Sequence, residues 1–286
     1  MTAALTTIKF TMRTLSAVSP RLAGRFALTL FSTPMRKARV RPEEHEALGS
    51  AQRETIDVMG HRVATYRWGD GSRPVLLLHG WESRASRWAP FVPELLAKGF
   101  SPIAFDAPGH GETTGKFAHL LEYRAIATRL QERYGVFEAV VAHSLGALYV
   151  YHALRTGVAT RRLAAISGPC HYGYPVETFS AEFRLSPRAE ADFRGRIERF
   201  FHPERDIWER FSPGYQPGSL DFPILLVHDR KDRVIAYRQA ELLAEAYGAG
   251  ARLITTEGLG HHRIMVAPDV IRHVIEFVTG ADQGSR

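Results

Sequence analysis

A single cysteine, Cys170, stands in the 286-residue chain, so no intramolecular disulfide can brace it and the fold must rest on packing. That fits a reducing compartment, and the cytoplasm is the expected location. With no electropositive context beside it, the thiol reads as a small buried or half-buried residue rather than a nucleophile. The chain also lacks any run of about 18 or more apolar residues, which excludes a membrane-spanning helix of the usual length. No internal repeat or low-complexity segment occurs, and no grouping of His, Cys and carboxylates has metal-ligand spacing, so no metal is expected.

Acid is missing from residues 1 to 42, which carry Lys9, Arg13, Arg21, Arg25, Arg36, Lys37, Arg39 and Arg41. These cations more than account for the formal charge of +7, leaving about −1 on everything that follows. A near-neutral body without a nucleic-acid-binding signature gives no support to an RNA or DNA partner. Hydrophobic residues make up 45% of the chain and charged residues 23%, the ordinary globular mix, which excludes disorder and a polytopic membrane protein. The length suffices for one large α/β domain with an inserted cap, or for two modest domains.

Between residues 5 and 33, Ile8, Met12, Leu15, Val18, Leu22, Phe26 and Leu30 recur at steps of three or four, one face of an amphipathic helix. Lys9, Arg13, Arg21 and Arg25 interrupt its apolar stretches, which argues against a secretory signal. Pro20, directly after Ser19, divides the pattern into two helices, with Ser19 as cap and Pro20 at the first helical position. Three readings of this basic leader, taken as residues 1–48, stay open. It packs on the body or on a second subunit, it lies on a membrane surface, or it is an organelle transit peptide. Peripheral membrane contact and self-association are its expected interactions.

Further along, residues 54–59 and 61–68, joined at Gly60, read as an antiparallel hairpin. Residues 75–78, 102–105, 139–142, 163–166, 224–227 and 253–255 are short apolar runs, as expected of parallel strands buried on both faces. Helical stretches at 120–134, 145–154, 237–247 and 269–278 alternate with them, which predicts a doubly wound, mostly parallel α/β sheet with ligands at the carboxyl ends of its strands. The core is expected over 49–168 and 221–280. Residues 169–220 break the alternation: aromatic residues from Tyr172 to Tyr215 cluster among prolines with no strand-like run, which reads as a cap inserted between two core strands.

The most specific local pattern runs Val140-Val141-Ala142-His143-Ser144-Leu145-Gly146-Ala147, a buried strand that ends at a serine and passes at once into a helix. A serine on so sharp a turn has its hydroxyl pushed clear of the backbone, and small residues are needed two before and two after it, where strand and helix pass closely. This resembles the elbow of the α/β-hydrolase superfamily, Gly-x-Ser-x-Gly, with Ala142 in place of the first glycine. Other segments resemble the same family in the order it requires. By that resemblance, Val75 to Trp81 is the strand and His-Gly-x loop of the oxyanion hole, whose two backbone N–H groups belong to Trp81 and Leu145. His79 there fixes loop geometry, and Asp106, in the segment Asp106-Ala107-Pro108-Gly109-His110-Gly111, shapes the floor of the site.

The same resemblance places the acid at Asp232, in the run His228 to Ile235, with Asp229 as the alternative. It places the base at His261, directly after Gly260, with His262 as its rival. The implied order is Ser144 nucleophile, Asp232, then His261 base. Such a set implies acyl transfer without a metal or organic cofactor. A serine at the elbow, rather than an aspartate, argues against epoxide hydrolases and haloalkane dehalogenases. The expected activity is hydrolysis of a carboxylic ester, with the aromatic cap pointing to a small-molecule hydrophobic substrate. A thioesterase, a carbon–carbon bond hydrolase, an acyltransferase of the same fold, or a slow-turnover small-molecule receptor are the alternatives.

Overall fold

The computed structural model describes residues 3–281. Two helices open the chain, α1 (Ala3–Val18) and α2 (Pro20–Ser32), and a short α3 (His45–Gly49) precedes the hairpin β1 (Gln52–Val58) and β2 (His61–Arg67). From β3 (Pro74–Leu78) the chain runs through α4 (Val92–Ala97) to β4 (Ser101–Phe105), then through α5 (Leu120–Tyr134) to β5 (Ala139–His143). A single residue separates β5 from α6 (Leu145–Arg155), which returns to β6 (Leu163–Ile166). Three helices, α7 (Tyr174–Phe183), α8 (Pro187–Phe200) and α9 (Ile207–Arg210), lie between β6 and β7 (Ile224–Asp229). The order closes with α10 (Arg238–Tyr247), β8 (Ala251–Thr256), α11 (Gly260–Arg263) and α12 (Pro268–Thr279).

The eight strands form one sheet in the order β1-β2-β4-β3-β5-β6-β7-β8, parallel from β4 to β8 and antiparallel only at the hairpin and its junction with β4. Alternating side chains feed two helical layers. Leu76 and Leu78 pack with α5, α6 and the cap, whereas Val75 and Leu77 pack with α4 and α12. Strands β3 to β7 are buried at every position, but β8 alternates between half-buried and exposed. The buried strand expected at residues 253–255 is thus an edge strand, which the helical layers cover incompletely. The chain moves outward from β3 in both directions, to β4 on one side and β5 on the other. This is the switch point where a doubly wound sheet leaves a crevice beyond its strand ends.

The leader packs on this body. Across its kink the backbone bonds continue, Ser19 N–H to the Leu15 carbonyl at 2.8 Å and Ala23 N–H to the Ser19 carbonyl at 3.0 Å. Pro20 takes the first position of α2 as expected, but the Ser19 hydroxyl makes no capping bond. Helix α2 meets α8 through Ala23, Gly24 and Ala27, and a Cβ on Gly24 would fall 2.2 Å from Asp192 Oδ2 and 3.0 Å from its Cβ. Such close approach admits only small side chains. The expected stripe is therefore split: Ile8, Met12, Leu15, Phe26 and Leu30 face the core, while Val18 and Leu22 turn outward. Ser186, in the turn between α7 and α8, donates to the buried Ser16 hydroxyl at 2.6 Å and holds α1 down.

A Gly24→Val substitution should force α2 off α8 and cost about 1–3 kcal/mol, the usual penalty of overpacking. Thermal unfolding would register this as a melting point lower by roughly 2–4 °C per kcal/mol, and an unchanged melting point would contradict the packing described.

Candidate active site

Ser144 is the lone residue between β5 and α6, at φ 56° and ψ −119°, a conformation that L side chains rarely adopt and that costs about 1–3 kcal/mol. The surrounding structure imposes it. Ser144 N–H donates to the Ile166 carbonyl at 2.9 Å, and the Ser144 carbonyl accepts from Leu148 N–H at 3.0 Å, so one residue ends a strand and starts a helix. A Cβ at Gly146 would lie 2.6 Å from the carbonyl oxygens of Leu78 and His79, and one at Gly80 would lie 2.7 Å from Ser144 Cβ. These glycines let α6 and the loop after β3 close on the serine. Ala142 is a different case: it pairs with Leu78 and Ala165 inside the sheet, where a methyl group fits.

His261, in α11, reaches across from the end of β8, with Nε2 2.9 Å from Ser144 Oγ and Nδ1 2.7 Å from Asp232 Oδ2. A carboxylate can only accept, so Nδ1 carries the proton and the Nε2 lone pair faces the serine hydroxyl. Asp232 is buried. Its Oδ1 accepts the N–H groups of Val234 and Ile235 at 2.8 and 2.9 Å. Burial pushes its carboxyl up, but the hydrogen bond and charge of His261 and these two N–H groups outweigh burial and hold it below its ordinary value.

The alternatives fall elsewhere. Asp229 accepts from the backbone of Lys231, Gly258 and Leu259 and from the Thr256 hydroxyl, tying the end of β7 to the loop that carries His261. Burial opposes ionisation, yet these bonds prevail and bring its carboxyl down to about 2. His262 is exposed and turned away, its ring T-shaped against that of His261. His79 accepts Ala107 N–H on Nε2 at 3.0 Å and donates from Nδ1 to the Gly80 carbonyl at 2.7 Å, fixing the loop before Trp81. Asp106 accepts from Ala85 N–H, Glu112 N–H and the Tyr66 hydroxyl, so it organises loops. Cys170 is half-buried, and burial pushes its thiol up to about 11.

Gly80 sets Trp81 beside Ser144, and Leu145 is the first residue of α6. Neither amide meets an acceptor among the described residues. Other contributors have no motif of their own. His143 lies tilted against His261, ring centroids 4.8 Å apart, and donates from Nε2 to its carbonyl at 3.0 Å. Burial, then the charge of His261, pushes the His143 imidazole down to about 3, so it stays neutral. Tyr174 of the cap accepts Ala236 N–H at 2.8 Å, just past the loop of Asp232.

A cavity of about 790 Å³ opens over Ser144 and Leu145. Phe179, Phe183, Phe200 and Phe201 of the cap form part of its wall, and Leu28, Leu30, Phe31 and Met35 of the leader form another. Phe31 meets Phe179 and Phe193 edge-on at 5.5 and 5.4 Å. Past α2 the leader is tied to the site itself: Glu82, the residue after Trp81, accepts the N–H groups of Met35 and Arg36 at 2.8 and 3.1 Å. The signal for this was the run Phe26 to Phe31, more apolar than a surface helix requires. Among the described residues, no group of three or more His, Cys, Asp or Glu could hold a metal ion.

Residues 75–274 match the alpha/beta hydrolase family. The chain belongs to that family. Over 156 residues this hydrolase is 29% identical to the dihydrolipoyllysine-residue acetyltransferase component of the acetoin cleaving system of Cupriavidus necator, a match over 53% of the chain that spans only 41% of that relative. It is 24% identical over 249 residues to a non-heme haloperoxidase of Rhodococcus erythropolis, covering 71% of the chain and 90% of the relative. Among solved structures, an esterase of Pyrococcus furiosus superposes with a TM-score of 0.64 at 22% identity, covering 87% of this chain and 96% of that one. At that identity the likeness shows the fold alone. The family match begins at residue 75, so the leader segment that walls the cavity lies outside it.

The depressed carboxyl of Asp229 stabilises the hydrolase above the ordinary carboxylate value near 4, and this contribution is lost as pH falls toward about 2. Asp229→Asn should therefore lower the melting point at neutral pH and flatten its fall between about pH 4 and 2. Parallel pH profiles for the two proteins would contradict the role given to Asp229.

Proposed function

We propose that this alpha/beta hydrolase is a serine esterase acting on carboxylic esters with a bulky apolar acyl or alcohol group. The observation that carries the reading is Ser144 Oγ, 2.9 Å from His261 Nε2 at the wall of a largely apolar cavity of about 790 Å³. That volume lies in the upper part of the roughly 300–1,000 Å³ range of small-molecule pockets.

In this reading Ser144 Oγ attacks the ester carbonyl while His261 Nε2 takes its proton. Asp232 keeps the imidazole in the required tautomer and stabilises the imidazolium. The carbonyl oxygen gains charge and turns to the N–H groups of Trp81 and Leu145, each worth about 2.7–4 kcal/mol in comparable sites. Collapse of the intermediate breaks the bond to the alcohol oxygen, which leaves with the proton from His261. Water, deprotonated by the same nitrogen, then attacks the acyl-Ser144 ester and releases the acid. The cycle consumes one water and calls on no metal or organic cofactor.

Steady-state hydrolysis of p-nitrophenyl esters from acetate to palmitate tests the proposal. Wild type should turn over many equivalents, and Ser144→Ala should lose roughly 10⁴- to 10⁶-fold in kcat. Equal activity in the variant would refute the nucleophile. No turnover by folded wild type would favour a thioesterase, a carbon–carbon hydrolase, an acyltransferase or a receptor. In the same series Phe31→Trp should narrow the cavity and move the optimum to shorter chains, and an unchanged optimum would remove the leader from the substrate pocket.

A further inference from the structure

Eleven large hydrophobic side chains are exposed among the described residues, and seven of them concentrate on the leader and on the cavity. Phe10, Val18 and Leu22 project from α1 and α2, at 71%, 79% and 55% exposure. Met35, Phe117, Phe200 and Val234 line the cavity and yet reach solvent, so they mark its mouth.

The two sets are joined. On the outer side of the leader, Phe10, Arg13 and Val18 of α1 and Arg21, Leu22, Arg25 and Thr29 of α2 are all exposed. Thr29, the last of them, also lines the cavity. The outer stripe therefore ends at the mouth.

Its charge has one sign. No acid occurs in α1 or α2, and Arg184 and Arg188, on either side of the Ser186 that holds α1, are exposed as well. Glu182 and Asp192, which face the leader from the cap, are already paired, with Lys9 at 3.1 Å and Arg196 at 2.5 Å. A second copy docked face to face on this stripe would set arginines against arginines. An anionic lipid surface offers phosphates to the arginines and a hydrocarbon boundary to Phe10, Val18 and Leu22. Among the described residues no helix is long and apolar enough to cross a membrane, so the contact is peripheral.

We infer that the outer face of α1 and α2 docks this hydrolase on an anionic lipid surface, with the cavity mouth beside the lipid so that apolar esters enter from it. The entry route rests on the esterase reading; the docking itself does not. The test is co-sedimentation of the full chain with phosphatidylcholine vesicles, with and without phosphatidylglycerol. Wild type should pellet with the mixed vesicles at low salt, bind phosphatidylcholine alone far more weakly, and be released as salt rises. Arg13→Glu/Arg21→Glu/Arg25→Glu should weaken binding at least about a hundredfold, the loss expected for three basic groups at such a surface. Leu22→Asp, an exposed change that leaves the fold alone, should weaken it too. Both variants should hydrolyse dissolved p-nitrophenyl acetate like wild type.

Failure of wild type to pellet, equal binding by the triple variant, or a wild-type dimer that Leu22→Asp dissolves would each overturn the inference. Vesicle binding by a wild type that hydrolyses no ester would support docking while removing the esterase reading.

Discussion

The hydrogen bond from Ser144 to His261 joins residues 117 positions apart, and the rest of the site depends on its length of 2.9 Å. Three strands must end at the right height for it to form. β5 delivers the serine, β7 delivers Asp232, and β8 delivers the loop of His261. Their parallel register, with Val140 beside Leu163, Leu163 beside Ile224 and Ile224 beside Ala251, brings those ends to one edge. Side-chain bonds set the remaining tolerance. Asp229 laces β7 to the His261 loop, and His143 holds the His261 carbonyl from below the serine. The strain stored at Ser144 is offset by the packing around Gly146 and Gly80, where nothing larger than glycine fits.

A second dependence runs outward from this centre to the start of the chain. The leader adds about thirty residues of helix outside the family match, and it closes one side of the cavity instead of hanging free. Gly24 against α8 sets its depth, Phe31 sets the shape of the wall, and Glu82 connects its end to the residue beside Trp81. The same segment that walls the cavity also presents a basic, apolar outer face.

Much of the fold can be read from the sequence because its strands are buried on both faces and so appear as uninterrupted apolar runs, Val75 to Leu78 and Ile224 to Val227 among them. β8 was harder, since an edge strand alternates and its burial depends on neighbours that the local pattern does not reveal. Asp232 and His261 could be singled out because the segments around them resemble those of the family, whereas Ser144 also stands on a strand-to-helix turn whose steric demands are legible in its small neighbours. His143 and Tyr174 could not, because any of several side chains would satisfy the local backbone there. The leader is ambiguous for a related reason: its pattern announces an amphipathic helix, but in α2 the small residues Ala23, Gly24 and Ala27 share the packed face with Phe26 and Leu30, while Leu22 of the expected stripe turns outward. Which element receives that face is a tertiary fact.

The central claim is that His261 makes the Ser144 hydroxyl a nucleophile, and covalent labelling tests it most directly. Intact-mass and peptide measurements after treatment with a fluorophosphonate should find one equivalent of adduct, located on Ser144, formed rapidly in wild type and slowed by at least about a thousandfold in His261→Ala. Labelling at another residue, or equal rates in a folded His261→Ala variant, would contradict the account.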